Sequence, residues 1–155
     1  MTEPFMLDLH MYLGRLGYSS APPPTLDTLR ELQERHTAEF PFETLASMLR
    51  VPVEVEPAAV QDKLLRQGRG GYCFELNRLY LLLLQELGFD ARGLTGRVVM
   101  GGPEDALPAR THMLVLVTLG AFATSPTSAS AAWCPPVPCC STVRPSRPRR
   151  MSLIV

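Results

Sequence analysis

The chain has 155 residues, 46% of them hydrophobic, and balances 15 Lys and Arg against 15 Asp and Glu. That is enough apolar residue to bury a core, and a formal net charge of zero removes the electrostatic case for nucleic acid or an anionic membrane as partner. Glu3 and Asp8 stand where a signal peptide needs a basic start and an apolar core, and no run approaches the roughly 18 apolar residues of a membrane span, so a cytoplasmic protein is expected.

Leu9, Tyr12, Leu13 and Leu16 mark one face of a first helix, which Gly17 is placed to stop in the left-handed conformation. Pro22, Pro23 and Pro24 form an extended spacer, after which Thr25 offers its hydroxyl as N-cap to a second helix through Leu26, Leu29 and Leu32 towards His36. His36 falls near the C-terminus of that helix, where the dipole favours a histidine. Pro41 forces Phe40 out of helical geometry, so Phe40 to Glu43 reads as a loop with Phe40 as core filler. Glu43 is a partner for Arg69, either in a buried bidentate pair that fixes the loop before Cys73 or as a solvated surface charge.

Val51 to Val55 alternates apolar and polar residues around Pro52 and predicts at most a short edge strand. Pro57 suits the first position of a helix through Val60, Leu64 and Leu65, which delivers the chain to Gly70 and Gly71. Two glycines in a row break that helix and permit positive φ. Helical spacing then resumes at once: Leu76, Leu79, Tyr80, Leu83, Leu84 and Leu87 recur three or four apart, up to Gly88. This leucine stripe reads as core. Cys73 therefore starts a helix, where unpaired N–H groups and the positive end of the dipole favour the thiolate. A single cysteine in such a position is either a reactive nucleophile or a small buried hydrophobe. From Phe89 the pattern turns to β, with Leu94 to Met100 and Met113 to Leu119 as apolar runs on either side of a polar loop, and His112 opens the second run.

Cys134, Cys139 and Cys140 crowd the tail in neither a disulfide framework nor a spaced metal pattern, so no metal is expected. The tail is also the one basic stretch: after Gly120 there is no Asp or Glu, while Arg144, Arg147, Arg149 and Arg150 crowd its end.

From about residue 5 to 119 the sequence resembles the arylamine N-acetyltransferases. The resemblance rests on Leu9 to Gly17, on Pro24, Thr25 and Leu26 leading to His36, and on Phe40-Pro41-Phe42-Glu43. It continues through Arg69-Gly70-Gly71-Tyr72-Cys73-Phe74-Glu75 with Asn77, Leu87-Gly88-Phe89, Gly96-Arg97-Val98 and Arg110-Thr111-His112-Met113-Leu114. Thr44 and Leu76 depart from it, standing where the family usually carries polar residues. The resemblance implies an α+β chain: a helical domain over 1–88 with the catalytic cysteine at a helix start, then over 89–120 the first strands of a β-barrel, in a cysteine-protease-like fold. Cys73 would be the nucleophile, and His112 its base. Phe42 and Val98 would line the substrate site, and Arg69, Gly70, Gly71 and Glu43 would support it. The donor implied is acetyl-CoA, and the acceptor an aromatic amine or hydrazine. A histidinium beside Cys73 is expected to hold its thiol at a pKa of roughly 3.5–7.5.

The family pattern also calls for an aspartate followed by Val-Gly-Phe-Gly shortly after Gly120, and the chain has none there. Residues 121–155 are rich in Ala, Ser, Thr, Pro and Arg, without periodicity, and read as a disordered tail. Back-translated with free third positions and read one base earlier, Thr124 to Ser130 becomes Tyr-Leu-Ala-Asp-Val-Gly-Phe, followed by Gly-Gly-Leu-Val. The sequence therefore predicts a reading-frame shift near Gly120, a barrel left incomplete and a triad without its aspartate. On that basis activity is expected to be impaired or absent. The alternative is a non-catalytic fragment or an interaction module with a basic tail.

Overall fold

A computed structural model of the chain describes residues 5–99, 108–119 and 152–154. Helix α1 (Leu9–Arg15) begins where Asp8 accepts the Met11 N–H at 3.0 Å, and the chain leaves it through Gly17 at φ +77°. Helix α2 (Leu26–Glu39) starts at Thr25, whose hydroxyl accepts the Thr28 N–H at 3.2 Å. Tyr12, Leu13 and Leu16 from α1 and Leu29, Leu32 and His36 from α2 are all buried.

A short α3 (Leu45–Met48) follows, and Val51 to Val55 forms no strand. Arg50 turns the chain at φ +55°, Pro52 has no N–H to pair, and Val51 and Val55 stay exposed. The expected helix through Leu64 is two pieces, α4 (Pro57–Gln61) and a π-helical turn over Asp62–Arg66. At the end of that turn the Arg15 guanidinium donates to the carbonyls of Leu64 (2.5 Å) and Leu65 (3.1 Å), two of the last carbonyls that a helix leaves without an internal partner.

Helix α5 (Cys73–Glu86) is apolar nearly all round and packs against α1, α4 and both long strands, as a central helix should. Leu76, Leu79, Leu83 and Leu84 have no exposed surface. Gly88, at φ +85°, then turns the chain into β1 (Asp90–Val99).

Strand β1 pairs antiparallel with β2 (Arg110–Thr118) from Asp90↔Thr118 to Gly96↔His112, after which the register jumps to Arg97↔Arg110. Thr111 is left without a partner on β1, a bulge next to His112. Alternate residues of β2, namely Met113, Val115 and Val117, join the helical core. His112 belongs to the other face. The Arg97 guanidinium donates to the Pro108 carbonyl.

Strand β3 (Ser152–Ile154) adds to the far edge of β1, so the sheet order is β2-β1-β3. Those three residues lie within the segment expected to be disordered throughout, and the correction has a local reason: residues 151–155, Met-Ser-Leu-Ile-Val, are the one apolar, β-prone run of the tail. The expected frame shift and missing aspartate fall on residues 121–151, outside the described residues. The architecture is α+β as expected, and among the described residues no helix is long and apolar enough to cross a membrane.

Candidate active site

Gly70 and Gly71 carry Cys73 past the Phe40 to Glu43 loop. The two segments are joined by backbone bonds, Glu43 N–H to Gly71 O at 2.9 Å and Gly71 N–H to Pro41 O at 3.2 Å, with Phe42 and Gly71 in a parallel bridge. Neither glycine has positive φ; in this segment only Gly68 does, at +65°. They are required by space instead. A Cβ on Gly70 would lie 2.3 Å from the Pro41 carbonyl oxygen, and one on Gly71 would lie 3.0 Å from Glu75 Cβ.

The Glu43–Arg69 pair is present as a single contact of 3.1 Å between half-exposed side chains, not as a buried bidentate bridge. The buried carboxylate is that of Glu75. One of its oxygens accepts the Tyr72 N–H at 3.0 Å and the other accepts from Lys63 Nζ at 2.7 Å, and Lys63 also lies 3.9 Å from Glu43. Glu75 stands in the N3 position of a capping box, a signal hidden because Tyr72, rather than Ser or Thr, precedes the helix. Lys63 has no local signal at all.

Cys73 opens α5 and is buried. Its Sγ lies 3.7 Å from the carbonyl of the bulged Thr111, and the N–H groups of Met113, Phe74 and Cys73 face the sulfur. One helical turn on, the Asn77 amide donates to the Met113 carbonyl at 2.7 Å. Cys73 and Asn77 therefore stand where a further strand would, along the outer edge of β2. Both neighbours of His112 in the chain are thus held against α5. Asn77 Oδ1 is buried and has no hydrogen-bond partner among the described residues.

The charge state differs from the expectation of a depressed thiol. Burial pushes the Cys73 thiol up and outweighs the backbone N–H groups that pull it down, with the Glu75 carboxylate adding to the rise. Burial likewise pushes the His112 imidazole down. Burial thus works against the charged form of each group.

His36 is a core histidine. It is fully buried between Tyr12, Phe40 and Tyr80, its Nδ1 shares a 2.6 Å hydrogen bond with the Tyr12 hydroxyl, and burial pushes its pKa down to about 3. The helix dipole, which favours a charged histidine, therefore does not explain it. Phe42 is half exposed beside Gly71, and Val98 lies in β1 opposite Leu153 of β3.

A family model described as N-acetyltransferase matches residues 25–121. The arylamine N-acetyltransferase of Escherichia coli K12 is 43% identical over 111 residues, which cover 72% of this chain and 39% of that protein. The Mycobacterium tuberculosis H37Rv arylamine N-acetyltransferase is 46% identical over 114 residues, covering 72% and 40%. The solved M. tuberculosis enzyme superposes with a TM-score of 0.66 at 45% identity, over 74% of this chain and 43% of that one. The Mycobacterium marinum enzyme in complex with CoA superposes with a TM-score of 0.66 at 45% identity, over 74% and 42%. The chain thus spans about two fifths of the length of the curated relatives it matches. With the matched segment running from the cap of α2 through both long strands and including Cys73 and His112, the chain belongs to the arylamine N-acetyltransferase family.

Proposed function

We propose that Cys73 carries an acetyl group from acetyl-CoA to an aromatic amine or hydrazine, in the cytoplasm, by a two-step ping-pong reaction. The observation that carries this reading is the contact of Cys73 Sγ with the bulge beside His112, in a chain of this family. In the first step the thiol proton passes to the neutral imidazole of His112 as sulfur attacks the thioester carbonyl. The bond to the coenzyme sulfur breaks, that sulfur takes the proton from His112, and acetyl-Cys73 remains. In the second step the amine attacks the acetyl carbon, His112 removes an amine proton, and the Cys73 thiol is restored. Phe42, half exposed beside Gly71, offers an apolar ring to a flat aryl group.

After Gly120 the chain has no Asp or Glu, so no carboxylate from that stretch orients the imidazole. In serine proteases the comparable loss costs about 10⁴ in turnover. We attribute the gap to a shifted reading frame and expect the chain as it stands to be severely impaired, with a frame-restored chain as the active reference. The same gap favours a second reading, a non-catalytic chain whose basic tail binds a partner.

The test is intact-mass analysis after incubation with acetyl-CoA, on this chain and on one in which a one-base change restores Asp-Val-Gly-Phe-Gly. An acetyl adduct on Cys73 of the restored chain, lost on Cys73→Ala and released by an arylhydrazine, is the expected outcome. No adduct on the restored chain would sink the proposal. Equal turnover by the two chains would show that the aspartate is dispensable.

A further inference from the structure

We propose that Lys63, held by the π-helical turn, is a positioning residue for Cys73, acting through Glu75 to seat the first turn of α5 and to offset the carboxylate beside the nucleophile. The proposal rests on Cys73 being the acetyl-carrying nucleophile, but its test reads the thiol itself.

The geometry runs through three links. The π-turn closes with Gln67 N–H on Asp62 O at 2.9 Å and Gln67 Nε2 on Asp62 Oδ2 at 2.6 Å, while Arg15 takes the Leu64 and Leu65 carbonyls. From that turn Lys63 Nζ reaches Glu75 Oε1 at 2.7 Å, with only 16% of the lysine side chain and 3% of the glutamate side chain exposed. The second Glu75 oxygen holds the Tyr72 N–H at 3.0 Å, immediately before Cys73. A single insertion in an otherwise α-helical run, of a kind frequent at functional sites, thus aims a cation at the carboxylate that caps the nucleophile's helix.

The carboxylate cannot simply be dispensed with. It satisfies a backbone N–H at the helix start, yet its charge works against a neighbouring thiolate. Lys63 resolves that conflict by neutralising the charge without removing the acceptor. The titratable and charged groups on the elements packed against the sulfur are Glu75 and Tyr72 at the helix start, His112 on β2, and Lys63 behind Glu75. Beyond them lies Glu43, 3.9 Å from Lys63 and paired with the exposed Arg69.

The experiment measures the iodoacetamide alkylation rate of Cys73 against pH by peptide mass spectrometry on the full chain. It compares the parent chain with Lys63→Met, Glu75→Gln and the double variant. Lys63→Met is expected to raise the pH midpoint by about one unit, because Glu75 is then unbalanced, and Glu75→Gln to lower it, because Lys63 is then unopposed. The double variant falls between them. A purely structural role would move both single variants in the same direction, towards a free thiol, and that result, or no displacement in either, would overturn the proposal. If circular dichroism shows Lys63→Met unfolded, Glu75→Gln decides alone: a lowered midpoint supports the coupling, and an unchanged or raised one refutes it. A chain with opposed shifts that takes no acetyl from acetyl-CoA would leave the coupling intact and remove only the proposed reaction.

Discussion

The amide of Asn77 donates to the main-chain carbonyl of Met113 at 2.7 Å, one turn of α5 beyond the cysteine whose sulfur meets Thr111. The two contacts bracket His112, so the outer edge of β2 is tied to α5 on either side of the imidazole. Asn77→Ala leaves a buried carbonyl unpaired and is expected to cost about 1–3 kcal/mol in urea unfolding. Asn77→Asp should cost more, since a carboxylate would then face that carbonyl. Unchanged unfolding midpoints for both variants would show that the clamp does not hold the edge.

Glycines in this chain serve different ends, and alanine substitution separates them. Gly70→Ala forces a methyl to 2.3 Å from a backbone oxygen and is expected to destabilise by about 1–3 kcal/mol while opening the Phe40 to Glu43 loop. Gly68→Ala meets no atom within 4 Å and carries only the cost of a left-handed conformation at φ +65°, roughly 1–2 kcal/mol. Gly14, inside α1 with open space around its would-be Cβ, should gain up to about 1 kcal/mol on substitution. Thermal midpoints in which Gly14→Ala falls below Gly70→Ala would contradict this assignment.

His36 makes the core sensitive to acid. Its folded pKa of about 3 lies below the ordinary value near 6.5, so the unfolded chain takes up the proton first as pH falls. The resulting stability is fully present above about pH 6.5 and is lost as pH drops towards 3, an effect on the order of 5 kcal/mol in total. Urea midpoints measured between pH 7 and pH 4 should therefore fall more steeply for the parent chain than for His36→Leu. Parallel slopes would show that the imidazole is not buried in its neutral form.

Arg15 joins three parts of the helical region. It donates to the Leu64 and Leu65 carbonyls, pairs with Glu39 at 2.7 Å, and lies over the Phe40 ring at 4.8 Å from its centre. Arg15→Met is expected to cost about 2–3 kcal/mol, and Arg15→Lys to recover little, because one ammonium cannot serve both carbonyls and the carboxylate in the geometry of a planar fork. A lysine variant as stable as the parent chain would refute the fork argument.

The amino-acid sequence alone determined what depends on neighbours along the chain. Thr25 caps α2 because its hydroxyl reaches an N–H three residues on, and the apolar stripe of Leu76 to Leu84 is buried because its spacing matches one helix face. The helix start at Cys73 and the two long strands were legible for the same reason, although both strands begin earlier than their apolar runs. Only the tertiary structure decided the rest. Gly70 answers to a loop some 30 residues away and Gly71 to the Glu75 side chain, rather than to their own φ angles, and the carbonyls at the end of the π-turn answer to a guanidinium from α1. Glu75, rather than Glu43, became the buried carboxylate once Lys63 was carried beside it. The direction in which the Cys73 thiol moves was decided in the same way: the helix start favours the thiolate locally, but burial against β2 removes the water that would solvate it, and desolvation outweighs the backbone N–H groups.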